Sequence, residues 1–254
     1  MILEKAIKKA SQTFKKHNIY SHELDAQIIL SEIMGLKREC LITKNTTMLS
    51  KKIIEKYNNA VKRRIKKEPI AYITGKKEFW SENFAVNKST LVPRPETELL
   101  IYKVVNFFKN KKINILDIGT GSGCILLSIL KELNFSRGIG IDISSKAIQM
   151  ARLNSINLNL CKRSKFKVFD LNKFDEGKYD LIVSNPPYIP SKDIKNLCRG
   201  ITNYEPLIAL NGGFEGISVI KKVIYRSNVL LKRNGLLAIE IGFGQYEKVS
   251  KMLR

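Results

Sequence analysis

From Lys111 onward, short apolar segments alternate with glycine-bearing turns and helical stretches, and that rhythm leaves few folds open. INILDIG (113–119), GIDIS (140–144), FKVFDLN (166–172), YDLIVSN (179–185) and GLLAIEIG (235–242) are short, apolar and rich in β-branched residues. Strands covered on both faces of a parallel sheet have this composition. Helical periodicity runs through 125–133 and 147–154, between the first three of them. The pattern predicts an α/β fold with a doubly wound, mostly parallel sheet, which binds its ligands at the carboxyl ends of strands.

The fourth segment ends in a feature of its own. Pro186 and Pro187 cannot donate ladder hydrogen bonds, so the chain must leave the sheet at Asn185. The Asn185 side-chain oxygen and the Pro186 carbonyl can each accept one hydrogen of a planar NH2 group, with the Tyr188 ring against its flat face. A glutamine amide and the exocyclic amines of adenine and guanine all fit that description. Taken alone, NPPY reads equally well as a loop with two turn prolines.

At the end of the first strand stands Asp117-Ile118-Gly119-Thr120-Gly121-Ser122-Gly123. The spacing is GxGxG, whereas the dinucleotide fingerprint is GxGxxG. Asp142 ends the second strand about 20 residues further on, where a carboxylate can take both ribose hydroxyls. Asp170 ends the third strand and can accept from an adenine amino group, with Leu171 or Phe169 against the ring. A nucleoside pocket of this kind, without a phosphate-binding lysine and followed by an NH2 clamp, fits S-adenosyl-L-methionine better than NAD or ATP.

The first part of the chain is different. Ile2, Leu3, Ala6, Ile7, Ala10 and Phe14 recur at helical spacing. A second helix is expected to begin at Ser21, bury Leu24, Ile28 and Ile33, and stop at Gly35. A short helical piece follows at 37–41. Ser50 reads as the cap of a third long helix, which must end before Pro69. Residues 1–70 therefore form a small helical domain, 71–94 a hairpin-like connector, and 95–254 the α/β domain. Pro95 opens that last part as a helix-starting residue, ahead of an apolar face of Leu99, Leu100, Val104, Val105 and Phe108.

Composition excludes more than it selects. The four cysteines are scattered without zinc-type spacing, and the two histidines, His17 and His22, lie near the N-terminus. Zinc enzymes and histidine-based triads are disfavoured, and no metal site is expected. With no apolar run near the roughly 20 residues of a membrane span, a cytoplasmic protein is expected. The net charge of +22 suits a nucleic-acid or acidic-protein partner. It equally suits an AT-rich coding sequence, since lysine far outnumbers arginine, so it decides little. The same holds for the run Lys62 to Lys67.

The chain resembles the protein-(glutamine-N5) methyltransferases that act on peptide chain release factors. The resemblance covers nearly all of it: the helical domain, PIAYITGKKEFWSENFAVNKSTLVPRPETELL (69–100), ILDIGTGSG (115–123), Asp142, NPPY and YEPLIALNGGFEGI (204–217). It implies a role in translation termination, with 1–70 binding the protein substrate. Gly119, Thr120, Gly121, Ser122, Gly123, Asp142, Asp170, Leu171 and Asn185 would hold the cofactor. Asn185, Pro186, Pro187 and Tyr188 would hold the glutamine, with Arg94 and Glu96 shaping the pocket. Relatives continue into a final strand hairpin, so the resemblance also leads one to expect an open sheet edge at 236–241. The alternative is a methyltransferase acting on DNA adenine or rRNA guanine amines. That reading calls for a large target-reading segment, and the helical domain is small.

Overall fold

The computed structural model describes residues 1–253. In order, the chain forms α1 (Leu3–Lys16), α2 (His22–Met34), α3 (Cys40–Thr43), α4 (Lys51–Ile65), α5 (Ile70–Thr74), β1 (Lys76–Phe79) and β2 (Glu82–Ala85). There follow α6 (Glu98–Phe107), β3 (Asn114–Ile118), α7 (Cys124–Glu132), β4 (Arg137–Asp142), α8 (Ser145–Asn157), β5 (Ser164–Val168) and β6 (Tyr179–Ser184). The last elements are α9 (Arg199–Thr202), α10 (Ser218–Leu230), β7 (Leu231–Ile239) and α11 (Tyr246–Met252). No helix among the described residues is long and apolar enough to cross a membrane.

One compact unit comprises Met1–Gly75 together with Cys198–Tyr204. Leu3, Phe14, Ile29, Leu30 and Tyr57 are fully buried at its centre. The Ser50 side chain caps α4 by accepting from the amide of Ile53, and Gly35 ends α2 in the left-handed region. The expected inner face of α2 needs correction. Leu24 is exposed, and Asp25, Ala26, Ile29 and Leu30 face inward instead. Much of this helix is apolar, so hydrophobicity alone did not single out one face. The Asp25 carboxylate can be buried because the Arg64 guanidinium donates to it at 2.7 Å, meeting the requirement that a buried charge be paired. The segment at 198–204 closes on the same unit, where the Tyr204 hydroxyl donates to the carbonyl of Lys66 at 3.1 Å.

The second unit comprises Lys76–Leu197 and the chain from Glu205 onward. Strands β1 and β2 form an antiparallel hairpin whose two turn residues, Trp80 and Ser81, both have positive φ. That is the twist a two-residue hairpin turn requires. Trp80 is held there by Glu98, which accepts from its backbone amide, and Glu132, which accepts from its indole N–H. In α6, Ile101 and Val104 are buried while Leu99 is exposed, correcting the face expected for that helix. Leu99 lies two residues, about 200°, from Ile101 around the helix, so both cannot face the core.

The main sheet has the order β5-β4-β3-β6-β7 and is parallel throughout. Alternate residues serve its two faces, with Ile115, Leu181 and Val183 on one side and Leu116, Ile118 and Ile182 on the other. Three strands shift most from the sequence expectation. Strand β4 begins earlier, at Arg137, and tolerates Gly138 and Gly140 because the side chains of Leu126 and Phe166 occupy the space where Cβ atoms would sit. Strand β5 stops at Val168, since Asp170 instead accepts from the amide of Asn172 and caps a 3-10 turn at Leu171–Lys173. Strand β7 starts at Leu231 and crosses an irregularity where Asn234 takes positive φ.

The order fixes the site. From β3 the chain moves outward through β4 to β5, then returns to the other side of β3 as β6. The carboxyl ends of β3 and β6 therefore form the switch point where open α/β sheets bind ligands.

Candidate active site

Beyond β3 the backbone turns through Gly119 and Gly121, both at positive φ. An added Cβ would meet no atom nearer than 4.0 Å at either position, so these glycines face open space. The loop is fastened to β4, with the amides of Gly119 and Thr120 donating to the carbonyl of Ile141 at 2.9 and 3.0 Å. Asp142, the last residue of β4, accepts from the Gly121 amide through Oδ2 at 3.0 Å and from the Ser144 amide through Oδ1 at 2.9 Å. Each carboxylate oxygen keeps a lone pair for a further donor. Burial raises the Asp142 pKa, against the pull of those amides.

Two buried side chains support the loop from behind. Asn154 donates to the carbonyls of Ser122 at 2.9 Å and Ala85 at 3.0 Å, and accepts from the Ala85 amide at 2.7 Å. The Thr120 hydroxyl donates to Asp117 Oδ2 at 2.6 Å.

At the last residue of β6, the Ser184 hydroxyl donates to the carbonyl of Ile118 at 2.7 Å, joining the two strand ends. Asn185 follows, and its side-chain NH2 donates to Thr97 Oγ1 at 3.1 Å. The Thr97 hydroxyl donates in turn to Glu240 Oε2 at 2.6 Å, and the Tyr188 hydroxyl lies 3.4 Å from Glu240 Oε1. Burial, reinforced by the Glu240 charge, raises the Tyr188 pKa. Gln245 Nε2 donates to the carbonyls of Tyr188 and Gly216, holding the end of the turn.

A cavity of about 460 Å3 occupies this switch point. Gly119, Thr120, Gly121, Ser122, Asp142, Asp170 and Leu171 line one part of it, and Asn185, Pro187, Thr97 and Arg94 another. Pro186, Tyr188, Gly123 and Glu96 stand outside the wall. At Gly123 an added Cβ would meet Ala151, Leu127 and Phe166, each at 3.2 Å, so that glycine serves packing behind the loop. Arg94 is held by an ion pair of 2.7 Å with Glu205, whose side chain is 2 % exposed.

These residues suit an adenosyl group. The Asp142 carboxylate has capacity for two ribose hydroxyls. Asp170 Oδ1 is engaged by Asn172, leaving its second oxygen for an adenine amine beside Phe169 and Leu171. Open space before Gly119 and Gly121 admits the rest of the molecule.

Thr97, Asn154, Glu205 and Glu240 were not foreseen as part of the site. Glu240 carried a readable signal, an acidic residue at a strand's carboxyl end like Asp142. Thr97 was hidden in PRPETE, which reads equally well as a helix start.

Comparison with known proteins places the two halves of the chain separately and together. Residues 5–75 match the PrmC N-terminal domain, and residues 109–240 match a methyltransferase domain. A release factor glutamine methyltransferase of Caulobacter vibrioides is 36% identical over 100% of this chain and 89% of its own length. One from Clostridium acetobutylicum is 37% identical over 100% of this chain and 90% of its own length. For the Buchnera aphidicola protein of the same name the figures are 39%, 97% and 87%. With such identity along the whole chain, and with the strand-end cavity described above, the chain belongs to the release factor glutamine methyltransferase family.

Proposed function

We propose that this chain transfers a methyl group from S-adenosyl-L-methionine to the side-chain amide nitrogen of a glutamine in a peptide chain release factor, in the cytoplasm. The observation that carries the reading is the presence of Asp142 and Asn185 in the wall of one cavity. A nucleoside carboxylate and an amide-reading side chain thus face the same space. When bound, the cofactor supplies an electrophilic sulfonium methyl group. Gly119, Thr120, Gly121, Ser122, Asp142, Asp170, Leu171 and Asn185 hold it, with Gly123 packed behind the loop.

An amide nitrogen is a weak nucleophile because its lone pair is delocalised into the carbonyl. Asn185 Oδ1 in the cavity wall and the Pro186 carbonyl, between the two lining residues Asn185 and Pro187, would accept its two hydrogens and fix its orientation, with Pro187 and, at the rim, Tyr188 against the flat face of the group. Holding the nitrogen in line removes much of the entropic barrier. The two acceptors also stabilise the positive charge that develops on attack. The extra proton becomes acidic once the nitrogen is alkylated and leaves to solvent, so the site requires no histidine. The helical residues 1–70 serve as the substrate-binding part.

The test offers isotopically labelled methyl donor with a purified release factor, with DNA and with rRNA in separate reactions. Label is expected only in the release factor, on one glutamine-bearing peptide that gains the mass of one methyl group. Label in either nucleic acid and none in the release factor would overturn the assignment.

A further inference from the structure

We propose that Thr97 and Glu240 are positioning residues that dictate which way the Asn185 amide faces, an inference that rests on the methyl-transfer reading above. It follows from counting hydrogens. A carboxylate only accepts, so at 2.6 Å the single hydroxyl hydrogen of Thr97 is committed to Glu240 Oε2. Thr97 Oγ1 can then only accept from Asn185, which must present its NH2 group at 3.1 Å. The amide oxygen is turned the other way, and Asn185 lines the cavity. That oxygen is the atom the substrate NH2 needs. With Thr97 absent or its hydrogen free, the amide could rotate and offer a donor to a donor.

A second feature points the same way. Thr97 ends the 3-10 turn Pro95–Thr97 that leads straight into α6, and its own backbone is helical, so it caps no helix and its hydroxyl is available to the Glu240–Asn185 chain. Glu240 is itself fixed, because its amide donates to the carbonyl of Ser184 at 3.0 Å and continues the β6–β7 pairing. Its other oxygen faces the Tyr188 hydroxyl at 3.4 Å. One carboxylate thereby orients both ends of the Asn185–Tyr188 turn.

The experiment compares Thr97→Val, Thr97→Ser and Glu240→Ala with the parent chain. Turnover with a release factor is measured, together with cofactor affinity by calorimetry and exchange protection of the Asn185 side-chain NH2 by NMR. Thr97→Val and Glu240→Ala are expected to lower kcat on the order of 10²-fold, the scale of a misplaced reacting group. Cofactor affinity should stay within about threefold in both, as neither change removes a ligand of the nucleoside. Thr97→Ser should keep most of the turnover. A packing role predicts the reverse order, since Thr97 is 3% exposed and valine matches its shape while serine leaves a void. Val tolerated and Ser impaired would overturn the proposal. The NMR signal separates this from failure of the functional reading. If the parent chain methylates no release factor, an Asn185 NH2 protected in the parent and Thr97→Ser but exposed in Thr97→Val still supports the orientation, and equal protection in all three refutes it.

Discussion

The Thr120 hydroxyl donates to Asp117 Oδ2 at 2.6 Å beneath the glycine loop, yet the Asp117 carboxyl has no exposure to solvent. Burial pushes its pKa from 3.8 up to about 7, and the Thr120 bond and the Leu126 amide pull it back only in part. The folded protein therefore holds this proton more tightly than the unfolded chain does. Such a group contributes stability in full below the unfolded value near 3.8, and the contribution is lost as pH rises through about 7. At about 1.4 kcal/mol per pH unit the loss amounts to roughly 4 kcal/mol. Urea unfolding should give a less stable protein at pH 8 than at pH 5. Asp117→Asn, which cannot ionise, should flatten that dependence, and an unchanged slope would remove Asp117 as its source.

Asp142 accepts one backbone amide through each oxygen and belongs to the wall that would meet the ribose. Asp142→Ala should weaken cofactor binding by about 1 to 3 kcal/mol, the range for hydrogen bonds to a charged group. It should also loosen the Gly121 and Ser144 amides that the carboxylate gathers. Calorimetry with S-adenosylmethionine checks the first effect, and amide exchange at those two residues the second.

The carboxyl end of β6 was legible to the residue because Pro186 and Pro187 set it by local chemistry. Asp142 and Asn185 could be assigned to strand ends for the same reason, and both stand there in the cavity wall. Burial of Asp25 was not legible, because it depends on Arg64, 39 positions away in the chain. The turn at Trp80 and Ser81 carries none of the Asn-Gly or Asp-Gly chemistry that usually marks such hairpins, and is held by Glu98 and Glu132 from distant helices. The link from Thr97 to Glu240 spans 143 positions. Periodicity reports which face of an element is apolar, and it is silent on which polar groups meet across a fold.

Asn154 is fully buried and satisfies three backbone groups, two on Ala85 and one on Ser122. Asn154→Leu keeps the branching of the side chain, with bulkier methyl groups in place of the amide, and leaves all three without that partner. A loss of about 3 kcal/mol in unfolding free energy is expected, as each unsatisfied buried group costs about 1 to 3 kcal/mol and the groups relax together. Because Ser122 lies in the cavity wall, cofactor affinity should fall as well. A variant as stable as the parent, by denaturant midpoint at constant m-value, would show that the brace is dispensable.

Asn185 stands in the wall rather than behind it, and its NH2 is already engaged by Thr97. Its remaining polar atom is an acceptor, on a side chain that lines the cavity. Asn185→Ala removes that acceptor while leaving the Asp142 carboxylate, the glycine loop and Asp170 in place. Methyl transfer should therefore fall below detection, while cofactor affinity drops by no more than about tenfold, the equivalent of one hydrogen bond. Asn185→Asp is the sharper variant. It retains an acceptor at each position, but its ionised carboxylate cannot donate to Thr97 Oγ1, whose own hydrogen is committed to Glu240. Two carboxylates would then compete for one hydroxyl, and the aspartate side chain should swing away from Thr97. Turnover should be lost in this variant too at neutral pH. Near-parental kcat in Asn185→Asp, with cofactor affinity intact, would mean that the substrate amide is read by another group and that the orientation of Asn185 is irrelevant to catalysis.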